Sequence, residues 1–534
     1  MNTSSNNHKF ALTTPLYYVN DVPHIGSAYT TIVADAAARF QRLQGKSVLF
    51  ITGTDEHGQK IQRTAAEQNL EPQIHCDRIV ASFKSLWDKL NIKYDRFSRT
   101  TASDHQAIVN QFFDLVWQQG DIYLDRQQGW YCVACEEFKE EKDLIADHHC
   151  AIHTNRQAEW RDEENYFFRL SKYQQQLEAL YESNPDFIQP VSRRNEILNF
   201  VKQGLIDFSI SRLNMNWGFP IPVDEKHTIY VWFDALLGYI TALLEPGQEP
   251  TLDNALSQWW PINLHLIGKD ILRFHAVYWP AMLASAGLPL PEQVFGHGFL
   301  TKDGLKMGKT LGNTIDPFDL VDRYSADAVR YYFLKEIELG KDGDFNETRF
   351  INVLNADLAN DLGNLLNRTL GMLNKYCQGQ PPQLTSADYS LDHPLKSIGI
   401  HLGDRVTQAY EKLQFSQGCE EILMLVRSSN KYIDDSAPWS LFKQGQQAQV
   451  EQILYAVLES VRLSAYLLSP IVPDLSTKIY QQLGFDWDFN QHDGNLTTAA
   501  TTFSTHCQWG KLSTNTILGK ASPVFAKLDL PSEA

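Results

Sequence analysis

Two short segments far apart in the chain carry residue types that suit the binding of a polyphosphate. The first holds His24 and Gly26, at the turn between an apolar run predicted to be a strand and a predicted helix. Backbone N–H groups and the helix dipole favour anions at such a turn. The second holds Lys306 and Lys309 in a glycine-flanked loop, residues 304–312. Such a loop can close over a polyphosphate and neutralise charge that develops in a transition state.

The segment Gly308-Lys309-Thr310 also resembles the end of a P-loop, which cradles nucleotide phosphates in many ATPases. A P-loop requires four residues between its two glycines. Only three residues separate Gly304 from Gly308, and Asp303 stands where the first glycine should be. We therefore reject a P-loop for this segment.

A second kind of chemistry is indicated by paired thiols. Cys132 and Cys135 are separated by two residues, and Cys150 and His153 repeat that spacing. Two short chelating loops of this kind predict a closed, tetrahedral and structural Zn²⁺ site. His149 is the alternative fourth ligand. The remaining cysteines are isolated and are interpreted as core or surface thiols: Cys76, Cys377, Cys419 and Cys507.

Strands and helices must position these residues. Apolar runs that end in polar residues predict strands at 10–18, 47–53, 265–268 and 294–300, and helices are predicted at 28–43 and 270–286. This alternation predicts a Rossmann-like, doubly wound α/β sheet of parallel strands, with ligands at the carboxyl ends of the strands. Residues 118–211 interrupt the alternation and are interpreted as an insertion that contains the zinc knuckle.

The sequence changes character near residue 355. Apolar residues then recur at helical spacing, which predicts helices at 355–376, 393–413, 417–434 and 447–468 and a separate helical bundle. Polar residues 489–501 predict a loop, and we expect residues 522–534 to be loosely held. The predicted division of the chain is 9–117 and 212–300 for the two halves of the catalytic domain, 118–211 for the insertion, 301–354 for the lysine loop and stem-contact region, 355–500 for the bundle and 501–534 for a tail.

Bulk properties limit the class of protein. The chain has 534 residues, 43% apolar residues and a net charge of −17, with a mean hydropathy of −0.33. No run approaches the roughly 20 apolar residues of a membrane span, and the polar N-terminus lacks the apolar core of a signal peptide. We expect a cytoplasmic protein without membrane contact. The acidic balance neither supports nor excludes a nucleic-acid partner, because basic residues can cluster locally.

Four further segments, together with the two phosphate-binding segments, resemble the bacterial type of methionyl-tRNA synthetase, a family of class I aminoacyl-tRNA synthetases. The segments are Thr52-Gly53-Thr54-Asp55-Glu56-His57-Gly58, Trp217-Gly218-Phe219-Pro220-Ile221-Pro222, Tyr230-Val231-Trp232-Phe233-Asp234-Ala235-Leu236-Leu237-Gly238-Tyr239 and Gly268-Lys269-Asp270-Ile271. The resemblance covers residues 10–483. It implies ATP, L-methionine and tRNA(Met) as substrates, Mg²⁺ with ATP, and a helical anticodon-binding domain.

The resemblance also implies roles for individual residues. His24, Lys306 and Lys309 would be catalytic. ATP would be held by His24, Gly26, Ser27, Asp270, Lys306 and Lys309. Methionine would be held by Tyr18, Asp55, Trp232, Ala235, Leu236, Tyr239, Ile271 and His275. The anticodon would meet Trp487, Asn430 and Trp439, with Trp487 as the first choice.

The motifs depart from the family pattern at three positions. Ser27 replaces the usual second histidine of the first motif, and Gly308 and Thr310 replace the usual serines of the second. Two alternatives stay open from the sequence: another class I aminoacyl-tRNA synthetase, or a non-catalytic tRNA-binding paralogue. The chain ends soon after the bundle, without the oligonucleotide-binding domain that some family members use to dimerise, so we expect a monomer.

Overall fold

The computed structural model describes residues 9–530 except 134, 140, 152–156, 214, 308–311, 492–495 and 513–516. The strands are β1 Lys9–Tyr18, β2 Ser47–Asp55, β3 Arg96–Arg99, β4 Ile122–Cys132, β5 Glu137–Lys139, β6 Leu144–Ile145, β7 His149–Cys150, β8 Glu159–Phe168, β9 Ile188–Gln189, β10 Phe208–Ser209, β11 Ser211–Leu213, β12 Pro220–Ile221, β13 Asp224–Ile229, β14 Leu264–Gly268, β15 Val294–His297, β16 Leu300–Lys302, β17 Leu305–Lys306 and β18 Gly343–Phe345.

The helices include long members in both halves of the chain. They are α1 Ile25–Leu43, α2 Gln59–Glu67, α3 Pro72–Lys89, α4 Ser103–Gln118, α5 Gln174–Ser183, α6 Val191–Lys202, α7 Val231–Thr241, α8 Leu252–Trp259, α9 Trp279–Ser285, α10 Pro317–Tyr324, α11 Ala326–Glu336, α12 Glu347–Leu354, α13 Asn364–Tyr376, α14 Pro394–Gly399, α15 Leu402–Glu411, α16 Phe415–Ser436, α17 Pro438–Lys443, α18 Gln447–Leu468, α19 Pro473–Gln482 and α20 Leu496–His506.

A parallel sheet with the strand order β3-β2-β1-β14-β15-β9 forms the centre of the first half. Leu12 of β1 pairs with Phe50 of β2 on one side and with Leu264 of β14 on the other. The chain therefore continues outward from β1 in both directions, and a crevice opens at the carboxyl ends of β1 and β14. This arrangement confirms the predicted doubly wound α/β fold.

The insertion is built on the long antiparallel pair β4 and β8, which pair from Ile122↔Phe168 to Tyr131↔Glu159. The thiols lie where β4 ends and in the small β6–β7 hairpin. One strand of the predicted insertion belongs to the main sheet: β9 pairs in parallel with β15 and forms an edge of that sheet. No sequence pattern indicates this return, because β9 is only two residues long.

Two predicted elements are divided in the structure. The helix predicted at 270–286 is a 3₁₀ turn at Lys269–Ile271, a π-helical turn at Phe274–Tyr278 and α9. Pro280 lacks the N–H that would continue an α-helical ladder, and the wide π turn precedes it. The strand predicted at 294–300 ends at His297, and the chain then enters a second sheet through β16.

The helical region packs directly on the parallel-sheet half. Phe40 of α1 meets the ring of Tyr410 of α15 with centroids 5.3 Å apart. Buried charges also cross the junction: Arg330 forms an ion pair with Asp35 at 2.6 Å and donates to the carbonyl of Ile471 at 2.9 Å. The predicted helical bundle is confirmed. No helix in the described ranges is both long and apolar enough to cross a membrane.

Two expectations for the end of the chain are wrong. Part of the predicted 489–501 loop is helical, because α20 begins at Leu496. Residues 522–530 are held, not loose: Leu528 exchanges two hydrogen bonds of 2.8 Å with the Asn355 side chain, and Val524 is buried. The last four residues, 531–534, lie outside the described residues. The contact between Leu528 and Asn355 could not be predicted from local sequence patterns, because the two residues are 173 positions apart.

Candidate functional site: a cavity at the carboxyl ends of the parallel strands

A cavity of about 330 Å³ opens where β1, β2 and β14 end. Predicted binding residues from five separate segments line it together: Tyr18, His24, Gly26, Ser27, Asp55, Trp232, Asp270 and Ile271. Parallel strands bring their carboxyl ends to one edge of a sheet, which explains how residues so distant in sequence meet.

His24 caps the helix that begins at this edge. Its Nδ1 accepts hydrogen bonds from the N–H groups of Gly26 at 3.0 Å and Ser27 at 3.3 Å. The Ser27 hydroxyl accepts from the His24 N–H at 3.1 Å and donates to the His24 carbonyl at 2.7 Å. The helix N-terminus therefore faces the cavity in a rigid form, and its positive end favours an anion there.

Asp270 and the lysine loop belong to the same rim. Asp270 lies exposed in the 3₁₀ turn after β14 and lines the cavity. Leu300 also lines it and begins β16, which pairs with β17 so that Thr301 lies opposite Lys306. The loop therefore starts at the cavity. Lys309, with residues 308–311, lies outside the described residues, and the side chain of Lys306 is likewise not described.

The predicted methionine residues form two layers. Tyr18, Asp55, Trp232 and Ile271 line the cavity, whereas Ala235, Leu236, Tyr239 and His275 are buried. The Trp232 ring stacks on Phe274 with centroids 3.8 Å apart.

The buried layer fixes one histidine tautomer. His275 lies 3.1 Å from the carbonyl of Ile271 through Nδ1 and 2.8 Å from the Tyr239 hydroxyl through Nε2. A carbonyl only accepts, so Nδ1–H donates to it and Nε2 accepts from Tyr239. Burial lowers the pKa of His275 to about 4. The imidazole is therefore neutral at pH 7, and the apolar pocket has no cation behind it.

Asp55 places a buried carboxyl group in the cavity wall. It is 6% exposed, and its Oδ1 has no hydrogen-bond partner among the described residues. Burial raises the pKa of the Asp55 carboxyl well above its ordinary value, and the carboxylates of Asp234 and Glu136 raise it further. An unsatisfied buried oxygen of this kind calls for a donor from a ligand.

The loop after Asp55 is anchored by a buried ionic network. Asp234 accepts from His57 Nδ1 at 2.6 Å through one oxygen and from His105 Nε2 at 3.0 Å through the other. Burial opposes ionisation of Asp234, but the two histidines lower its pKa to about 2. The His57 peptide N–H in turn acts on the Asp55 carboxyl and lowers its pKa, against the larger effect of burial. The network thus holds the segment that carries the cavity carboxylate.

Several residues of the cavity wall were not predicted from the sequence. Cys135, Glu136 and His297 line it, and His297 Nε2 lies 2.7 Å from the Thr30 hydroxyl. The only feature of the sequence that could have drawn attention to Glu136 is its position directly after Cys135, a predicted zinc ligand. Nothing in the sequence showed that the knuckle reaches the sheet edge.

Three of the four predicted metal ligands come together. The Sγ atoms of Cys132, Cys135 and Cys150 lie within 4.8 Å of one another. Cys135 and Cys150 are 3.6 Å apart, too far for a disulfide. A thiol cluster of this composition and spacing fits Zn²⁺. His153 lies outside the described residues, and His149, the alternative, donates through Nδ1 to the carbonyl of Ala146.

The predicted anticodon residues lie in the helical region. Trp487 is half-buried, with its ring centroid 5.5 Å from that of Phe489 and 5.1 Å from that of His506. Asn430 donates to the carbonyl of Asp361 at 3.0 Å. Trp439 is 38% exposed. Their contacts with RNA stay predictions.

Comparison with known proteins gives two family matches along the chain. The model described as tRNA synthetases class I (M) matches residues 10–150 and 139–370. The model described as the anticodon binding domain of methionyl tRNA ligase matches residues 398–505.

Individual relatives agree over nearly the whole length. The methionine–tRNA ligase of Synechocystis sp. is 71% identical over 98% of each chain, and that of Nostoc sp. is 67% identical over 97% of each. The solved structure of Mycobacterium tuberculosis methionyl-tRNA synthetase in complex with methionyl-adenylate superposes with a TM-score of 0.88 at 38% identity. It covers 97% of this chain and 99% of its own.

Proposed function

The chain belongs to the methionyl-tRNA synthetase family of class I aminoacyl-tRNA synthetases, and we propose that it ligates methionine to tRNA through the cavity at the edge of its parallel sheet. L-methionine and ATP form methionyl-adenylate and pyrophosphate. Methionine is then transferred to the 3′-terminal ribose of initiator and elongator tRNA(Met).

The observation that carries this proposal is the meeting of an anion site and a carboxylate in one cavity. The N-terminus of α1, capped by His24, offers positive potential to phosphates. Asp55 offers an unsatisfied buried oxygen to an ammonium group. An amino acid and ATP have this combination of groups.

The first step needs positioning more than a protein nucleophile. The methionine carboxylate oxygen attacks the α-phosphorus in line, the bond to the bridging oxygen breaks, and pyrophosphate leaves. The residues proposed to hold ATP are His24, Gly26, Ser27, Asp270, Lys306 and Lys309. Asp270 accepts from the ribose hydroxyls, while the two lysines neutralise charge on the leaving group. Mg²⁺ bound with ATP adds to that neutralisation.

The methionine side chain is proposed to enter the apolar layer beyond Trp232. Its thioether gains roughly 0.3–1.5 kcal/mol from a good aromatic contact, and Trp232 and Tyr18 lie at the cavity wall to supply such contacts. Ile271 lines the cavity beside them, and Ala235, Leu236, Tyr239 and His275 close the layer behind. Such a pocket distinguishes one methylene by only about 1–3 kcal/mol, so homocysteine is a foreseeable competitor.

The remaining parts of the chain are assigned to RNA and to structure. A single Zn²⁺ held by Cys132, Cys135, Cys150 and His153 would stabilise the knuckle, which has little core of its own. The proposed domain division is that of the sequence analysis, with residues 355–500 reading the anticodon through Trp487, Asn430 and Trp439. We propose a cytoplasmic monomer, as the sequence predicts.

Methionine-dependent exchange of pyrophosphate into ATP tests the activity directly. Exchange with methionine, and little with isoleucine, valine, leucine or cysteine, supports the proposal. Preference for another amino acid would identify a different class I enzyme, and no exchange with any would identify a non-catalytic tRNA-binding protein. Lys309→Ala is expected to slow adenylate formation about a hundredfold or more. A loss below about fivefold in single-turnover activation would refute the role of Lys309.

A further inference from the structure

Glu136 connects the thiol knuckle to the substrate cavity. It follows Cys135 directly, lines the cavity and is 5% exposed. Its backbone has a φ of 55°, in the left-handed region that an unbranched non-glycine residue adopts only at a cost. The chain therefore places a carboxylate where glycine would be conformationally easier.

The Glu136 carboxylate is held against Tyr18. Its Oε1 accepts the Lys60 N–H at 2.9 Å. A Cβ atom on Gly58 would lie 2.6 Å from both carboxylate oxygens and 2.7 Å from the Tyr18 hydroxyl. The carboxylate and the hydroxyl thus share the small space that the absent side chain of Gly58 leaves. The Tyr18 hydroxyl has no hydrogen bond of good geometry to any described residue.

Asp55 and Glu136 place two carboxyl groups in the cavity wall, and the Lys60 ammonium lies 5.4 Å from the centroid of the Tyr18 ring beside them. In the described part of the chain, neither Asp55 nor Glu136 has an ion pair within 4.0 Å. Two nearby carboxylates do have such partners: Glu56 pairs with Arg99 at 2.7 Å, and Asp234 pairs with His57 at 2.6 Å. Two carboxylates that line one cavity are stabilised by a cation that enters it.

An α-ammonium group matches this wall in charge and in number of donors. It has three N–H donors, as a lysine ammonium has. Asp55 Oδ1 is buried and lacks a partner among the described residues. The Tyr18 hydroxyl is buried beside the Glu136 carboxylate, without a hydrogen bond of good geometry to it.

We propose that Glu136 is a positioning residue of the amino-acid site, which orients the Tyr18 hydroxyl and adds a second negative charge to the α-ammonium site of Asp55. The proposal rests on the proposed function, because it takes the cation to be the ammonium of methionine. The folded knuckle is then part of the methionine pocket and not only a remote structural element. Replacement of Glu136 by glutamine is expected to weaken methionine binding about tenfold or more.

Three ligands separate an effect on the ammonium from an effect on pocket shape. Methionine has both charged groups, methioninol keeps only the ammonium, and des-amino methionine keeps only the carboxylate. With the full-length protein, Glu136→Gln is expected to raise the dissociation constants of methionine and methioninol by similar factors. The constant for des-amino methionine is expected to stay within about twofold. Equal weakening of all three ligands would overturn the proposal, and so would no change in any.

The neighbouring Glu137 provides a matched control. It has the same charge, is 37% exposed in its side chain and pairs with Lys139 at 2.6 Å. Glu137→Gln is expected to leave all three dissociation constants unchanged. Zinc content is measured for both variants, and loss of zinc from Glu136→Gln alone would overturn the proposal in favour of a role in the metal site.

A second variant keeps the test independent of folding. Glu136→Gly removes the carboxylate but suits the left-handed backbone at this position. The relief of backbone strain offsets part of the cost of the lost hydrogen bond to the Lys60 N–H, so the variant is expected to fold and to bind zinc. It is expected to raise the KM for methionine more than it lowers kcat. Wild-type protein that shows no methionine-dependent exchange would refute the proposed function instead, whereas an active wild type with unaltered Glu136 variants refutes only this inference.

Discussion

Asp234 is predicted to support both the stability of the catalytic half and the binding of methionine. Its carboxylate is buried and accepts from His57 and His105. The pKa falls from 3.8 to about 2 in the folded protein. A pKa lowered by this much corresponds to roughly 2 kcal/mol of stability at pH 7. Because the folded pKa is the lower one, this contribution is present above pH 4 and is lost as the pH falls through 2.

Asp234→Asn is therefore expected to lower the melting temperature of the catalytic half by about 5–10 °C at pH 7.5. The amide presents a donor to one histidine where the carboxylate presented an acceptor, so one buried N–H loses its partner. The segment that carries His57, two residues after Asp55, is expected to loosen with it. The KM for methionine in pyrophosphate exchange is expected to rise about tenfold, with a smaller change in the KM for ATP.

Differential scanning calorimetry and exchange kinetics measure the two effects. Asp253→Asn is the control, because Asp253 is exposed in the first turn of α8 and surface changes usually stay within about 0.5 kcal/mol. A melting temperature within about 2 °C of the wild type, together with an unchanged KM, would refute the reasoning.

Three further predictions concern the junction, the knuckle and the bundle. Burial, and then the charge of Asp474, raise the pKa of Asp327 to about 7. Because the folded pKa is the higher one, ionisation of Asp327 lowers the stability of the fold progressively above pH 4. Asp327→Asn is therefore expected to raise the free energy of urea unfolding at pH 8 by about 1 kcal/mol more than at pH 6. Cys150→Ser is expected to lower bound zinc from one atom per chain to nearly none by elemental analysis, while Cys377→Ser retains it. Trp487→Ala is expected to leave adenylate formation intact and to weaken aminoacylation of tRNA(Met).

Each of these has a contrary result. If Asp327→Asn changes the free energy of unfolding equally at both pH values, ionisation of the Asp327 carboxyl does not destabilise the folded protein. Full zinc content in Cys150→Ser would remove this thiol from the ligand set. Unchanged aminoacylation by Trp487→Ala would exclude that ring from the RNA contact.

The sheet was predictable from the sequence because its strands carry their own signal. The runs at β1 and β2 are apolar, end in polar residues and precede amphipathic helices, and this pattern follows from burial on both faces of a parallel sheet. The long helix α18 was predicted at its observed bounds, Gln447–Leu468, since its apolar residues recur over six turns. Local periodicity sufficed for both.

Elements that depend on distant partners were missed. The edge strand β9 has two residues, and only its pairing with β15 makes it a strand. Val524 is buried and Leu528 bonds to Asn355, a residue so far away in the sequence that no local pattern indicates the contact. The π turn at Phe274–Tyr278 depends on how the chain accommodates Pro280, which a helical pattern does not show.

The candidate site was predictable in its motif residues and not in their partners. His24 and Asp55 stand in segments with a family pattern, and both line the cavity. Glu136 stands in no segment with such a pattern. It lines the cavity only because the turn between β4 and β5 folds back to the edge of the sheet. Ser27 was predicted as a phosphate contact, and the hydroxyl also closes the cap of α1 with His24.

The proposed site would orient an amino acid, through the distribution of charge around the cavity, before any reaction occurs. Positive potential comes from the N-terminus of α1 at His24, whereas negative charge comes from Asp55 and Glu136. A zwitterion has one arrangement that satisfies both ends, with its carboxylate toward the helix and its ammonium toward the two carboxylates. In that arrangement the nucleophilic oxygen faces the site proposed for the phosphates of ATP. Binding and alignment for in-line attack are then the same event, which is how positioning alone lowers a barrier. A reagent with the ammonium but no carboxylate would bind and not react, and one with the carboxylate alone would bind without alignment.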